Sequence, residues 1–299
     1  MASDSQVATP TLGPLTTAVI EENRHNMRLL AQVADGSLTK GQFREQANQR
    51  FTKGQWQFAD KSFNIRDSRK ACKHACTYCF VTPLLGRFRG NVPLEPVPIE
   101  EAFPEDPAKA AKRWAKPKNG PKVIFFPSTH DIFLENVPSY VACCARMIGA
   151  GHEIMFVTKP HEAATAEFIR LFDPKLRDKI HTFITITSDD DAVLKHYEPF
   201  AAPYAERVRC LRRLFEAGFQ TSAMIEPYLT DPRRFVPEVE PFVRQVVAIG
   251  SMNYSALGED KVLDQLYAPE KIRELLAFAR QHPKIIFKKE LIARTLKAL

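Results

Sequence analysis

Glycine is scarce in this chain, twelve residues of 299 against twenty-two prolines, which argues for fixed turns and extended connections rather than flexible linkers. No run approaches the roughly 18 consecutive apolar residues that a bilayer-spanning helix needs, and no basic segment followed by an apolar core opens the sequence. A soluble, cytoplasmic protein with no membrane partner is expected. Six cysteines are too few and too clustered for a secreted disulfide framework. The 44% hydrophobic content supports one large core or two modest ones.

Charge is unbalanced. The formal net charge of +7 permits a nucleic acid or another anionic partner without requiring one. The most local basic feature is the run from Lys109 to Lys118, where Lys109, Lys112, Arg113, Lys116 and Lys118 surround Trp114. It reads either as a solvated surface helix ending before Pro117 or as phosphate contacts around a stacking face.

Hydrophobic spacing predicts an N-terminal helix over 15–34 and a second helix starting after Thr39 and running through Phe43, Ala47 and Phe51. From Phe63 onward, short strand-like runs alternate with helical ones: Phe63–Arg66, Val123–Phe126, Ile154–Thr158, Thr182–Thr187, Thr221–Ile225 and Val246–Ile249. Repeated strand-then-helix order implies parallel strands joined by crossovers. The expected fold is α/β, a partial (β/α)6 barrel resembling an open TIM barrel, with an N-terminal helical extension. Residues 1–60 form the arm and extension, 61–260 the barrel, and 261–299 a C-terminal helix with Ile285–Phe287 as a further strand or an exposed edge. The stretch from Val81 to Pro121 is either a cover over the barrel mouth or an exterior insertion.

Three cysteines, Cys72, Cys76 and Cys79, form a C-x3-C-x2-C triplet with Tyr78 before the last thiol. Three thiolates suit three irons of a [4Fe–4S] cube whose fourth iron stays open, or a zinc site completed by His74 or a distant cysteine. The second use of His74 competes with a place near the loop surface, which is the expected one. No second closely spaced cysteine group supports an auxiliary cluster.

With its aromatic residue, and placed after the first strand of such a barrel, the triplet resembles that of the radical S-adenosylmethionine (SAM) superfamily. The resemblance implies one [4Fe–4S] cluster on Cys72, Cys76 and Cys79, SAM at its open iron, reductive cleavage to a 5′-deoxyadenosyl radical, and hydrogen abstraction from an organic substrate. It also implies a reducing electron donor such as flavodoxin or ferredoxin. A more local resemblance, over 64–249, is to the spore photoproduct lyase-like branch. Its marks are Ser128-Thr-His-Asp-Ile132, Val157-Thr-Lys159, Phe183-Ile-Thr-Ile-Thr-Ser-Asp-Asp190, Tyr197-Glu-Pro199 and Ala205-Glu-Arg-Val208.

Mapped onto that branch, Tyr78 lies beside the SAM adenine, while Ser128, Lys159 and Thr185 hold the polar end of SAM. Thr187 and Glu226 join the same site, Glu226 taking the ribose or a polar substrate. Read from the residues alone, Tyr78 is equally a core aromatic, Ser128 and Thr185 are turn-capping hydroxyls, and Lys159 is exposed. Asp189, Glu206 and Arg207 lie nearby, Arg207 being expected to pair with Asp189 or Glu198 and so to fix the fourth loop.

In that branch the hydrogen-donating cysteine stands two residues before the serine, and the position here is Phe126. Phenylalanine has no weak S–H bond to give up, so that repair step does not transfer. Cys143, Cys144 and Cys210 read as small buried hydrophobes. Gly250, Ser251 and Asn253 form either part of the mouth or a plain strand-to-helix turn. The expected function is thus a radical SAM enzyme. Nucleic-acid repair or modification is the first alternative, and a non-catalytic SAM- or cluster-binding regulator the second.

Overall fold

The computed structural model describes residues 14–47, 59–64, 72–79, 81, 122–252 and 261–299. Seven parallel strands form one sheet in strictly sequential order: β1 (Lys61–Ser62), β2 (Val123–Phe125), β3 (Glu153–Thr158), β4 (Ile180–Thr185), β5 (Gln220–Ile225), β6 (Val247–Ile249) and β7 (Ile285–Phe287). Sequential parallel order requires a crossover between each pair. The helices α3 (Val137–Gly149), α4 (Glu162–Leu171), α5 (Asp191–Tyr197), α6 (Tyr204–Glu216), α7 (Lys261–Leu266) and α8 (Pro269–Ala279) lie in those crossovers. This is the partial-barrel architecture, with one strand more than the six expected. Ile285–Phe287 pairs with β6 and is buried throughout, so the sheet continues past residue 260.

The first strand is Lys61–Ser62, ahead of the predicted Phe63–Arg66, of which residues 65 and 66 lie outside the described residues; the Phe63 N–H still bonds the Phe125 carbonyl at 2.9 Å, and its ring stacks on Phe126 at 5.4 Å. The extension consists of α1 (Pro14–Ala34) and α2 (Lys40–Gln46). A capping box starts α2, with Thr39 accepting from the Gln42 N–H and the Gln42 side chain accepting from the Thr39 N–H. The helix ends at Ala47, short of the predicted Phe51, which lies outside the described residues. Packing of α1 against β7 and the last helix, α9 (Lys289–Ala298), brings the two ends of the described chain together.

Strand alternation separates two environments. Phe156 stacks on Phe168 of α4 at 5.1 Å, and Phe168 stacks on Phe172 at 5.3 Å, so this parity of β3 faces the helix layer. Ile154 and Ile184 share it and are fully buried. The other parity faces the barrel interior. Register aligns Met155 with His181 and Gln220, and Val157 with Phe183 and Ser222. Lys159 and Glu226 continue that parity past the ends of β3 and β5, and Thr185 closes β4 on it.

The N-terminal ends of the strands are closed by a polar floor. His181 bonds Glu153 Oε2 through Nε2 at 2.8 Å, and its Nδ1 lies 2.7 Å from Gln245 Nε2. The Ser222 hydroxyl donates to Gln245 Oε1 at 3.3 Å. Here Gln245 donates to His181, so Nδ1 must be the unprotonated nitrogen and Nε2 the donor to Glu153.

Candidate active site

Every strand runs the same way, so the loops after β1 to β7 converge on one mouth. The cysteine loop follows β1. Ala75 N–H bonds the Cys72 carbonyl at 3.2 Å and Cys79 N–H bonds the Cys76 carbonyl at 3.1 Å, so two successive turns shape the cysteine loop. Between them Ala75 adopts φ 48°, a left-handed conformation that costs a non-glycine residue about 1–2 kcal/mol.

Two buried carboxylates anchor this loop from opposite sides. Asp131, in the loop after β2, accepts from the Lys159 N–H at 2.7 Å, the Ile132 N–H at 2.7 Å, and the Thr158 hydroxyl. It also bonds His74 Nε2 at 3.0 Å. His74 is therefore not near the loop surface as the sequence implied. Only 2% exposed, it is packed against Phe133 with ring centres 4.9 Å apart and tied to Asp131. Burial pushes the Asp131 pKa upward, but the His74 bond and charge, with the Lys159 N–H and Thr158, hold it well below the usual carboxylate range.

Glu198 is the second anchor, with a fully buried side chain. Oε1 accepts from the Tyr78 hydroxyl and from Thr187 Oγ1, the latter at 2.8 Å, and Oε2 accepts from Arg207 Nη2. Arg207, also fully buried, donates from Nε to the Ala202 carbonyl at 2.7 Å and from Nη1 to the Thr185 carbonyl at 3.2 Å. Of the two partners expected for Arg207 the structure selects Glu198; Asp189 instead accepts from Thr230 at 2.9 Å and pairs with Arg234 at 3.0 Å. Burial opposes ionisation of Glu198, but Lys159 and Arg207, with the Tyr78 and Arg207 hydrogen bonds, bring its pKa below the ordinary value.

Lys159 stands between the anchors and the thiols. Its Nζ is 4.0 Å from Glu198 Oε1 and 5.6 Å from the centre of the Tyr78 ring. Burial favours the neutral amine, yet Cys76, Glu198 and Asp131 together raise its pKa above the usual lysine value, so it stays charged. Ser128 is held by Asn64, which donates from Nδ2 to Ser128 Oγ at 2.8 Å and accepts the Ser128 N–H at 2.9 Å. That arrangement leaves the hydroxyl proton of Ser128 to donate elsewhere. Thr185 is 4% exposed at the end of β4. Across the mouth, Glu226 pairs with Lys288, which follows β7.

The donor set fits an iron–sulfur cube. All three cysteines are free thiols of intermediate exposure. Burial pushes the Cys72 thiol up to about 12 and the Cys76 thiol to about 11, with Cys76 adding to the first shift, Cys79 to the second, and Lys159 opposing both. A thiol raised in this way ionises when a bound cationic metal stabilises its thiolate. Among the described residues no three His, Cys, Asp or Glu side chains are gathered as a single metal ion would require. A cube makes a different demand, since each thiolate takes its own iron.

Solved structures of similar architecture include Streptococcus suis SuiB bound to the precursor peptide SuiA, at 10% identity and TM-score 0.51, covering 76% of this chain and 48% of that one. The fold resembles that of radical SAM enzymes. SuiB bound to S-adenosylmethionine matches at 11% identity and TM-score 0.49, over 76% of this chain and 49% of that one. The present chain thus spans about half of SuiB. A mutant of spore photoproduct lyase matches at 16% identity and TM-score 0.49, covering 79% of this chain and 77% of that one. No known family profile matches the sequence, and no curated protein matches it either.

Phe126, where the related branch has its thiol, is fully buried between Phe63 and Tyr140, the second at 4.9 Å. Cys143, Cys144 and Cys210 are all fully buried. The basic run from Lys109 to Lys118, and Asn253, lie outside the described residues. Lys288 is a mouth residue that sequence reasoning missed, because the lysines flanking β7 read as an exposed edge; Asn23, which bonds the end of β7, has no local signal, since its partner Phe287 is 264 positions away. Among the described residues no helix is long and apolar enough to cross a membrane.

Proposed function

We propose that this chain is a radical SAM enzyme that abstracts hydrogen from an organic substrate. When bound, one [4Fe–4S] cluster and SAM supply a one-electron reductant and a sulfonium whose reductive cleavage gives methionine and a 5′-deoxyadenosyl radical. Cys72, Cys76 and Cys79 hold the cluster. Lys159 neutralises the SAM carboxylate, and Ser128 and Thr185 orient the polar end through their hydroxyls. Tyr78 presents its ring to the cofactor while its hydroxyl stays on Glu198; Thr187 keeps Glu198 in place, and Glu226 accepts from ribose hydroxyls or a polar substrate group. The barrel wall excludes water from the reacting atoms. An electron donor of the flavodoxin or ferredoxin kind completes the cycle.

The observation that supports this reading is the place of Lys159 at the strand ends beside the three-cysteine loop, its Nζ 4.0 Å from Glu198 Oε1 and 5.6 Å from the centre of the Tyr78 ring. Anaerobic reconstitution with iron and sulfide, followed by incubation with dithionite and SAM, tests it. About four irons per chain and 5′-deoxyadenosine are expected, with both lost in Cys76→Ser. A chain that binds no cluster sinks the proposal; a cluster with SAM bound but no 5′-deoxyadenosine leaves the regulatory reading. The nucleic-acid reading is favoured by the Lys109–Lys118 run, and it requires salt-sensitive DNA or RNA binding that disappears when those charges are reversed.

A further inference from the structure

Asp131 lies where three parts of the site come together. Its own loop, after β2, carries Ser128, whose N–H and hydroxyl oxygen Asn64 holds at 2.9 and 2.8 Å. The end of β3 brings Thr158 and Lys159, and the cysteine loop brings His74, two residues after Cys72 and two before Cys76. All three meet on one carboxylate. Oδ1 accepts the Ile132 N–H at 2.7 Å and the Thr158 hydroxyl, while Oδ2 accepts the Lys159 N–H at 2.7 Å and bonds His74 Nε2 at 3.0 Å.

A carboxylate offers about four lone-pair sites, and these four donors match them. The pair on Oδ2 comes from the cysteine loop and from Lys159, so a single oxygen atom sets that loop against the residue assigned to the SAM carboxylate. Lys159 is restricted on its other side as well. Pro160 follows it, and a residue before proline is held to extended backbone, so the lysine stem leaves the chain in a fixed direction and brings Nζ to 4.0 Å from Glu198 Oε1. His74 is held as closely: its ring packs on Phe133 at 4.9 Å and stacks on His161 at 5.6 Å, and its Nδ1 lies 3.4 Å from the Phe200 carbonyl. Packing alone does not ask for a charge at this place, since a buried ionic group replaced with its partners by well-packed apolar ones is often neutral or stabilising. Among the described residues, the bonds of this carboxylate to other segments all go to the cysteine loop and to the end of β3.

We propose that Asp131 is a positioning residue that fixes the cysteine loop and Lys159 relative to one another, so that the cluster and the lysine take hold of the same SAM molecule. This assignment rests on the radical SAM reading and adds what joins its cluster end to its lysine end. Asp131 acts through His74 and Lys159 and itself meets neither cofactor. With the link on Oδ2 cut, the three cysteines still collect iron and Lys159 still carries its ammonium group, but the fit between them is lost.

The test uses the full chain, reconstituted anaerobically with iron and sulfide. Three quantities are read: iron per chain, the SAM dissociation constant by equilibrium dialysis, and the electron paramagnetic resonance signal of the dithionite-reduced cluster with and without SAM. Asp131→Asn and His74→Phe are each expected to keep their iron, to bind SAM about ten-fold or more weakly, and to show a smaller SAM-induced change in the signal. Both remove the same link, so the double variant is expected to bind SAM no more weakly than Asp131→Asn alone. His74→Gln keeps a side-chain donor for Oδ2, and its SAM affinity is expected within about threefold of that of the unaltered protein. If circular dichroism shows that Asp131→Asn does not fold, the two His74 variants decide the matter. Unchanged SAM affinity, additive losses in the double variant, equal weakening by His74→Gln and His74→Phe, or iron lost in step with SAM overturns the assignment. Iron content and 5′-deoxyadenosine from the unaltered protein decide the radical reading independently, so the two failures are distinguishable.

Discussion

On the β2–β4 side of the mouth, Asp131 and Glu198 each collect three or more donors, and none of the buried polar atoms of His74, Tyr78, Thr187 or Arg207 lacks a partner among the described residues. On the β5–β7 side, Glu226 and Lys288 form one ion pair with 17% exposure at each side chain, and the buried Asn23 Oδ1 and Ser251 Oγ lack a hydrogen-bond partner among the described residues. The first side is finished before any ligand arrives, as the proposed cluster loop and charged cofactor would require. The second is left incomplete. Satisfied buried networks rigidify, and unpaired buried groups are costly, so the first half is the more firmly held of the two.

The contrast breaks most visibly at Arg207. Replacing it by Met leaves the Glu198 carboxylate buried beside Lys159 alone, and a stability loss of about 3–5 kcal/mol is expected in urea unfolding; Lys288→Met, on the more exposed pair, should cost about 1 kcal/mol. Equal losses would erase the distinction between the halves. Tyr78→Phe removes one charge-assisted bond from Glu198, and the midpoint of the same titration should fall by the equivalent of about 1.5–3 kcal/mol. Gly250→Ala sharpens the other half. Its methyl group must displace Glu226, so a loss of about 1–3 kcal/mol is expected, and Glu226→Ala in the same chain should recover part of it.

The smallest effect lies at the barrel floor. The His181 hydrogen bond, with the charge of Lys179, outweighs burial and keeps the Glu153 pKa below its ordinary 4.5. A depressed carboxylate stabilises the fold above that ordinary value, and the contribution disappears as pH drops through the lower folded value. Glu153→Gln should therefore flatten the acid limb of the stability profile below about pH 4.5 by about 1 kcal/mol or less, measured as unfolding midpoints across pH. An unchanged acid limb would mean that the bond contributes nothing.

Strands β2 to β6 were legible because β-branched and aromatic residues recur between turn signals, and their ends moved by only one or two positions. The first strand was placed two residues late because Lys61 and Ser62 carry no apolar signal, which starts at Phe63. Ile285–Phe287 was ambiguous because its flanking lysines suggested an exposed edge. Yet Lys284 donates to the Val243 carbonyl at 2.8 Å, and Lys288 reaches Glu226. The place of the cysteine loop after the first strand was legible from the order of the runs. The burial of His74 was not, since the carboxylate that draws it inward stands 57 positions away, and no local pattern encodes such a pairing.

Successive residues at the end of β3 point to opposite sides, so Thr158 goes to Asp131 while Lys159, just past the strand, goes to Glu198 and the Tyr78 ring. The destination of the cation is thus a matter of odd and even count. A single residue deleted within β3 would hand the threonine to the mouth and drive an ammonium group into the aromatic layer around Phe168. The mouth would lose its charge and the outer shell would acquire one it has no means to solvate, from a lesion that alters neither the threonine nor the lysine.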